Sequence, residues 1–138
     1  LVIGKSVRKK IMIKDFLIIN CTGKNDSIGL RVNNNFFVKK FQINNKANDS
    51  LVGNIAEFLK KNKANVDKNF SIIVNQGPGS FSSIRVSLAV AKGIKLSRGA
   101  KLFGYKGDLL NELNLKNIEL LIEKNLLENK LIKPLYIS

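Results

Sequence analysis

Residues 77–93 read GPGSFSSIRVSLAVAKG, a glycine-rich turn that opens directly into a helical pattern. The apolar run Phe70–Val74 stands before it, and Gly99 follows Arg98 at its far end. Phe70–Val74 has the length and side chains of a buried strand. Gly77 and Gly79 permit backbone angles that other residues resist, and Pro78 stiffens the turn between them. Ser80 or Ser82 is suited to cap the helix, which is expected to run from Ser80 to Arg98 and stop at Gly99. The unit is therefore strand, tight turn, helix.

Upstream, Phe16–Cys21 is a compact apolar run, Ser27–Val32 alternates so that Ile28, Leu30 and Val32 share a face, and Phe36–Ile43 reads as a third strand. The short Gly23–Asp26 and Asn33–Asn35 turns between them predict an antiparallel meander. Leu51, Ile55, Phe58 and Leu59 recur at helical spacing, with Asp49 or Ser50 as the cap and Lys60, Lys61 and Lys63 near the end, where cations suit the helix dipole. Lys101–Tyr105 is a further short strand, Leu109–Leu127 holds one or two amphipathic helices, and Pro134–Ile137 closes the chain. The predicted order β-β-β-α-β-α-β with C-terminal helices is α/β. It is that of one lobe of the actin/Hsp70-like (ASKHA, ribonuclease H-like) fold.

The 138 residues suffice for one packed core and not for two full lobes. No apolar run approaches the length of a membrane span, so no membrane contact is expected. The basic stretch 1–11 lacks the apolar centre of a signal peptide and reads as an upstream extension, with Met12 a plausible start. The single Cys21 has no partner for an internal disulfide, and a reducing cytoplasm suits it. With no histidine, zinc sites of Cys/His spacing and any mechanism needing an imidazole base are excluded, and no metal site is expected. The net charge of +14 invites a nucleic-acid reading, but lysine outnumbers arginine twenty to four and asparagine is abundant. That flavour is what a compositionally biased genome imposes, and arginine is the better reader of phosphate.

Residues 77–93 closely resemble the GPGSFTGxRxGxxxAKG signature of the bacterial TsaB (YeaZ) family. Phe81, Arg85, Ala91, Lys92 and Gly93 stand where that family has them; Ser82, Ser83 and Ser87 depart from it. The Phe16–Thr22 run followed by Ser27–Leu30 is similar to the family's opening strand pair, and Pro134–Ile137 to its terminus, so the resemblance covers about Met12 to Leu110 plus the tail. Asn20-Cys21-Thr22 stands where the family usually has Asp-Thr-Ser, and a histidine common before its first helix is missing. The resemblance implies an N-terminal lobe over 12–106 and a reduced C-terminal segment over 107–138, without most of the second lobe.

The resemblance also implies a function. TsaB-family proteins are non-catalytic, cytoplasmic partners of the paralogous TsaD subunit, which places threonylcarbamoyl on adenosine 37 of tRNA; a TsaE-type ATPase completes the assembly. Pairing uses the two N-lobe helices of each subunit as a four-helix bundle. On these helices Leu51, Ile55, Phe58, Ile84, Ser87, Leu88, Ala91 and Ile94 are the expected partner-interface residues. In the residue pattern itself, Ile84, Val86, Leu88, Val90 and Ile94 spread apolar surface over more than one face, beside small Ser83, Ser87, Ala91 and Gly93. Burial of both faces inside one small domain accounts for the same pattern. Self-pairing through these helices is left open, with tRNA reached through the complex.

Two alternatives stand beside this reading. The Gly77-Pro78-Gly79-Ser80 loop is either a phosphate cradle at a helix start or a structural turn. No Lys-Ser/Thr pair follows the last glycine, and Asn20 is a poor ligand for a hard cation, so ATP or ADP is expected only within the complex, with no cofactor on the isolated chain. A nucleotide-binding regulator and a basic tRNA-contacting module are the competing functions. An enzyme acting alone is not expected, because Ser80, Ser82 and Ser83 have no evident base and no paired carboxylates occur.

Overall fold

The computed structural model of the chain describes residues 12–41 and 50–136. Five strands form one sheet: β1 (Phe16–Asn20), β2 (Ser27–Val32), β3 (Asn35–Lys40), β4 (Ser71–Asn75) and β5 (Lys101–Tyr105), in the spatial order β3-β2-β1-β4-β5. The meander β1-β2-β3 is antiparallel, while β1-β4 and β4-β5 are parallel, with Leu17 opposite Ile72 and Ile73 opposite Phe103. Both parallel crossovers run through helices on one face: α1 (Leu51–Lys61) between β3 and β4, and α2 (Phe81–Arg98) between β4 and β5. A 3₁₀ turn (Gly107–Leu109) and α3 (Leu115–Glu123) follow β5.

The apolar runs of β1 and β4 are continuous because both sheet faces are covered. Leu17, Ile19, Ile72 and Val74 point toward α1 and α2, where they meet Leu51, Ile55, Phe58, Ile84, Leu88 and Ala91. Phe16, Ile18 and Ile73 point the other way, with Phe103 and Tyr105 against Ile118 and Leu121 of α3. The mixed-sheet expectation holds, and helix starts fall where the caps predict. Ser50 Oγ accepts from Gly53 N–H at 3.0 Å, and Ser80 Oγ from Ser83 N–H at 3.3 Å. Gly99 closes α2 in the left-handed region at φ 72°. The expected continuation of β3 to Ile43, Asp49 as cap, the extension 1–11 and the end of the tail at Ile137 lie outside the described residues.

Leu109–Leu127 holds one short α-helix. Asn114 caps α3 by accepting from Asn117 N–H at 2.8 Å, and Asn125, at φ 57°, ends the segment. The chain then runs back along β5, where Gly104 and Glu128 exchange backbone hydrogen bonds at 2.7 and 2.8 Å. It goes on to cross the ends of the parallel strands. Leu135 N–H donates to the Gln76 carbonyl at 2.7 Å, the buried Gln76 side chain donates to the Lys133 carbonyl at 3.0 Å, and Tyr136 bridges Gly79. Tyr136 also packs on Phe81 at the start of α2, ring centroids 4.8 Å apart.

This tail decides what Gly77 must be. Gly77 has φ 108°, and a Cβ there would strike the Leu135 carbonyl. Gly77→Ala is therefore expected to lose about 2 kcal/mol or more of stability and to release the tail. Urea unfolding checks the first effect, and faster tryptic cleavage after Lys130 in the folded variant checks the second.

Candidate functional site

Two places qualify: the ends of the parallel strands, where α/β sheets commonly bind ligands, and the outer surface of α1 and α2. At the strand ends, Asn20, Asn75 and Tyr105 come from three adjacent strands and bond to one another. Asn75 Nδ2 and the Tyr105 hydroxyl both donate to Asn20 Oδ1, at 2.7 and 3.1 Å, and Asn75 Oδ1 accepts from Gly77 N–H at 2.8 Å. Burial raises the Tyr105 pKa, so its hydroxyl stays a donor.

The loop that follows is engaged in the same way. Ser80 N–H donates to the Thr22 carbonyl at 3.0 Å, and the Gly77 carbonyl accepts from Gly107 N–H at 2.8 Å. Gly79 lies so close to Thr22 that a Cβ would stand 2.7 Å from the Thr22 Cβ. A phosphate cradle needs backbone N–H groups turned outward; here those of Gly77 and Ser80 are bonded inward, and the tail crosses beside them. Asn20 supplies a neutral oxygen already shared by two donors. These residues do not fit a nucleotide phosphate with its metal. Among the described residues, no three His, Cys, Asp or Glu side chains gather as metal ligands.

Cys21 is buried at the end of β1, where Sγ–H reaches the Ser27 carbonyl at 3.7 Å. Burial, and secondarily the nearby Asp26, pushes its thiol up to about 12. Burial likewise raises the Asp26 pKa, although Asp26 Oδ1 accepts from Gly23 N–H at 2.9 Å and holds the turn. Cys21 is a core residue and not a nucleophile.

The helix layer corrects the sequence expectation about which residues face outward. Leu51, Ile55, Phe58, Ile84, Ser87, Leu88 and Ala91 are all buried within this chain, and Ile94 is half-buried. Ser87 and Ala91 are 0% exposed, and Ser87 Oγ donates to the Cys21 carbonyl at 3.1 Å. Their small side chains let α2 approach the sheet, not a second helix. Sequence periodicity identified an apolar stripe without showing which apolar stripe meets the sheet.

The outward surface is offset around both helices. Val52, Ala56 and Leu59 of α1 and Ala89, Val90, Gly93, Ile94 and Ser97 of α2 line a groove of about 710 Å³, with Lys60 and Arg98 at its rim. Val52, Val86 and Leu96 are 60%, 45% and 85% exposed. Gly93 has nothing within 4 Å of where its Cβ would stand. Reasoning from sequence named Ile55, Val90, Gly93 and Ile94 of this lining and missed Val52, Ala56 and Ala89. Gly93 and Ala89, four apart inside a helix, were the available signal.

No protein-family model matches the chain. The tRNA threonylcarbamoyladenosine biosynthesis protein TsaB of Buchnera aphidicola subsp. Baizongia pistaciae is 35% identical over 85 residues, which is 62% of this chain and 38% of that protein. Among solved structures, YeaZ from Pseudomonas aeruginosa superposes with a TM-score of 0.60 at 15% identity, over 68% of this chain and 44% of that one. A second structure, described as similar to peptidase YEAZ from the same organism, gives the same values. The resemblance read from residues 77–93 is thereby borne out, and the fold with it. The chain spans less than half the length of these relatives. Among the described residues no helix is long and apolar enough to cross a membrane.

Two outcomes are expected from this geometry. Ala91→Arg buries an unpaired charge against the sheet and unfolds the domain, at a cost of about 4 kcal/mol or more, whereas Gly93→Arg changes stability by less than about 1 kcal/mol. Thermal melting of the two variants checks both. Cys21 is expected to resist iodoacetamide in the native protein and to label quickly in urea, as mass spectrometry would show.

Proposed function

We propose that this chain is a non-catalytic subunit of a tRNA threonylcarbamoyladenosine-forming assembly. In this reading it pairs through α1 and α2 with a TsaD-type catalytic subunit. A TsaE-type ATPase and tRNA are engaged by the complex and not by this chain alone. The observation that carries the reading is the α1/α2 groove, an apolar trough of small residues on helices whose other faces already fill the core. A helix surface that is apolar on its solvent side as well as its core side calls for a second covering. The 35% identity to Buchnera TsaB over 85 residues supplies the biochemical context.

The strand ends support the non-catalytic part of the reading. Reactive chemistry needs a base, a nucleophile or a metal held with open valence. Here Asn20, Asn75 and Tyr105 satisfy one another, Cys21 is a buried neutral thiol, and Ser80 caps a helix. Their work is to hold β1, β4, β5 and the start of α2 in register, which fixes the angle at which the helix layer is presented.

Reconstitution with the cognate TsaD-type and TsaE-type subunits and tRNA tests the proposal, with threonylcarbamoyladenosine as the readout. Gly93→Arg is expected to stay folded while losing partner affinity by about 2–4 kcal/mol, roughly 30- to 1000-fold, and modification should fall in parallel. The chain alone should turn over neither peptide nor tRNA substrates. A folded Gly93→Arg protein that binds its partner at full strength would rule out the groove as the docking surface.

A further inference from the structure

The tail wraps the free edge of β5. Leu127 is buried with α3 on one face of the sheet, and Ile132 is buried with Leu102 on the other. Between them Glu128 takes both outward backbone groups of Gly104. Further on, Gln76, itself only 6% exposed, finds two of its partners on the tail: its carbonyl accepts from Leu135 N–H, and its side-chain amide donates to the Lys133 carbonyl. Two glycines clear the path. A Cβ on Gly104 would stand 2.8 Å from Ile132 Cγ2, and one on Gly77 would strike the Leu135 carbonyl. The rest of the fold thus offers an apolar socket, a hydrogen-bond donor, an acceptor and bare backbone, spaced for an extended chain. Residues 132–136 fill this slot, yet they are joined to the Glu128 anchor only by Asn129, Lys130 and Leu131. These three are exposed, Leu131 by 64%, and among the described residues none bonds to the rest of the fold.

We propose that the slot over Gln76, Gly77 and Gly104 is a peptide-binding site with residues 132–136 as its exchangeable occupant, so that the same segment of a second copy can fill it. The ligand class is read from what sits there. It is an extended peptide with a branched aliphatic residue, followed three and four positions later by Leu and Tyr. The aliphatic side chain fills the socket beside Gly104, the Leu N–H meets the Gln76 carbonyl, and the Tyr ring packs on Phe81. The contacts are identical whether the segment comes from its own chain or another, so the tether decides between them. An empty slot is costly, because the buried carbonyl and amide of Gln76 lose those partners. The short tether gives the chain's own segment an effective concentration of about 1 mM. That keeps the slot occupied from within in dilute protein and opens it to another chain once the resident segment is disabled.

A labelled heptapeptide of residues 130–136 probes the slot on full-length protein. Ile132→Asp drives out the resident segment by placing a charge against the socket, and the milder Leu135→Pro removes the N–H given to Gln76. Circular dichroism verifies the fold of each. Fluorescence anisotropy is expected to show saturable binding to both variants below about 1 mM and none to wild type, whose tethered segment competes. The peptide with Ile132→Asp should bind at least about tenfold more weakly. Gly77→Ala protein, with its tail displaced and its own slot obstructed, should join Ile132→Asp protein as a one-to-one species in sedimentation velocity that neither forms alone. Folded variants that leave the peptide unbound would overturn the proposal, as would equal binding by wild type, which puts the contact elsewhere. Peptide binding without the mixed species would overturn exchange between copies. If both tail variants are unfolded, with peptide present or absent, residues 132–136 are a fixed part of the core and the proposal fails. Association through another surface, the helix layer included, would appear in each variant alone, so this result is independent of the function proposed above.

Discussion

The backbone of Gly77–Gly79 meets three separate pieces of chain in a space that admits no side chain. Thr22, just past the end of β1, packs on Gly79; Leu135 of the tail crosses Gly77; and Gly107, after β5, donates to the Gly77 carbonyl. Elements far apart in sequence are thereby joined at one corner of the sheet. Because this corner also opens α2, its geometry sets where α2 leaves the sheet and which of its faces turns inward. The Asn20–Asn75–Tyr105 bonds reinforce the same corner from within, with Asn20 Oδ1 accepting from both neighbours at the end of the parallel strands.

That arrangement gives the strand ends a structural role. In many α/β folds the crevice beyond the parallel strands is where a ligand binds. Here an asparagine in the first strand turns inward to its neighbours, the loop N–H groups of Gly77 and Ser80 are bonded within the fold, and the tail lies over the opening. The apolar surface left open to solvent lies on the helix layer. Small residues serve both sides of that layer: Ser87 and Ala91 let α2 sit close to the sheet, while Ala89 and Gly93, a different strip of the same helix, leave the groove open to solvent.

The charge of the molecule belongs to the same logic. Read along the chain, twenty lysines look like composition and nothing more. Folding places the α1 and α2 cations on one side of the sheet and most of the carboxylates of 107–128 on the other.

Local physics made much of the fold legible in the sequence. Ser50, Ser80 and Gly99 place helix ends because capping depends on the residue and its immediate neighbours. The runs at β1, β4 and β5 declare buried strands because residues covered on both faces must be apolar throughout. The signature at 77–93 identified the relatives of the chain because a turn this tight leaves so few residues acceptable. The interface did not follow in the same way. Leu88 and Ala91 were expected to face a partner, yet they are buried in the core between the helices and the sheet. An apolar position on a helix with two apolar strips is assigned to core or surface by the rotation of that helix about its axis. That rotation is set by distant contacts, Ser87 with Cys21 and Gly79 with Thr22, which have no signature at either residue alone. The return of the tail over Gly77 was equally invisible, since it joins residues more than fifty positions apart. Sequence determined the elements and their kin; tertiary packing alone decided which side of α2 stays open to solvent.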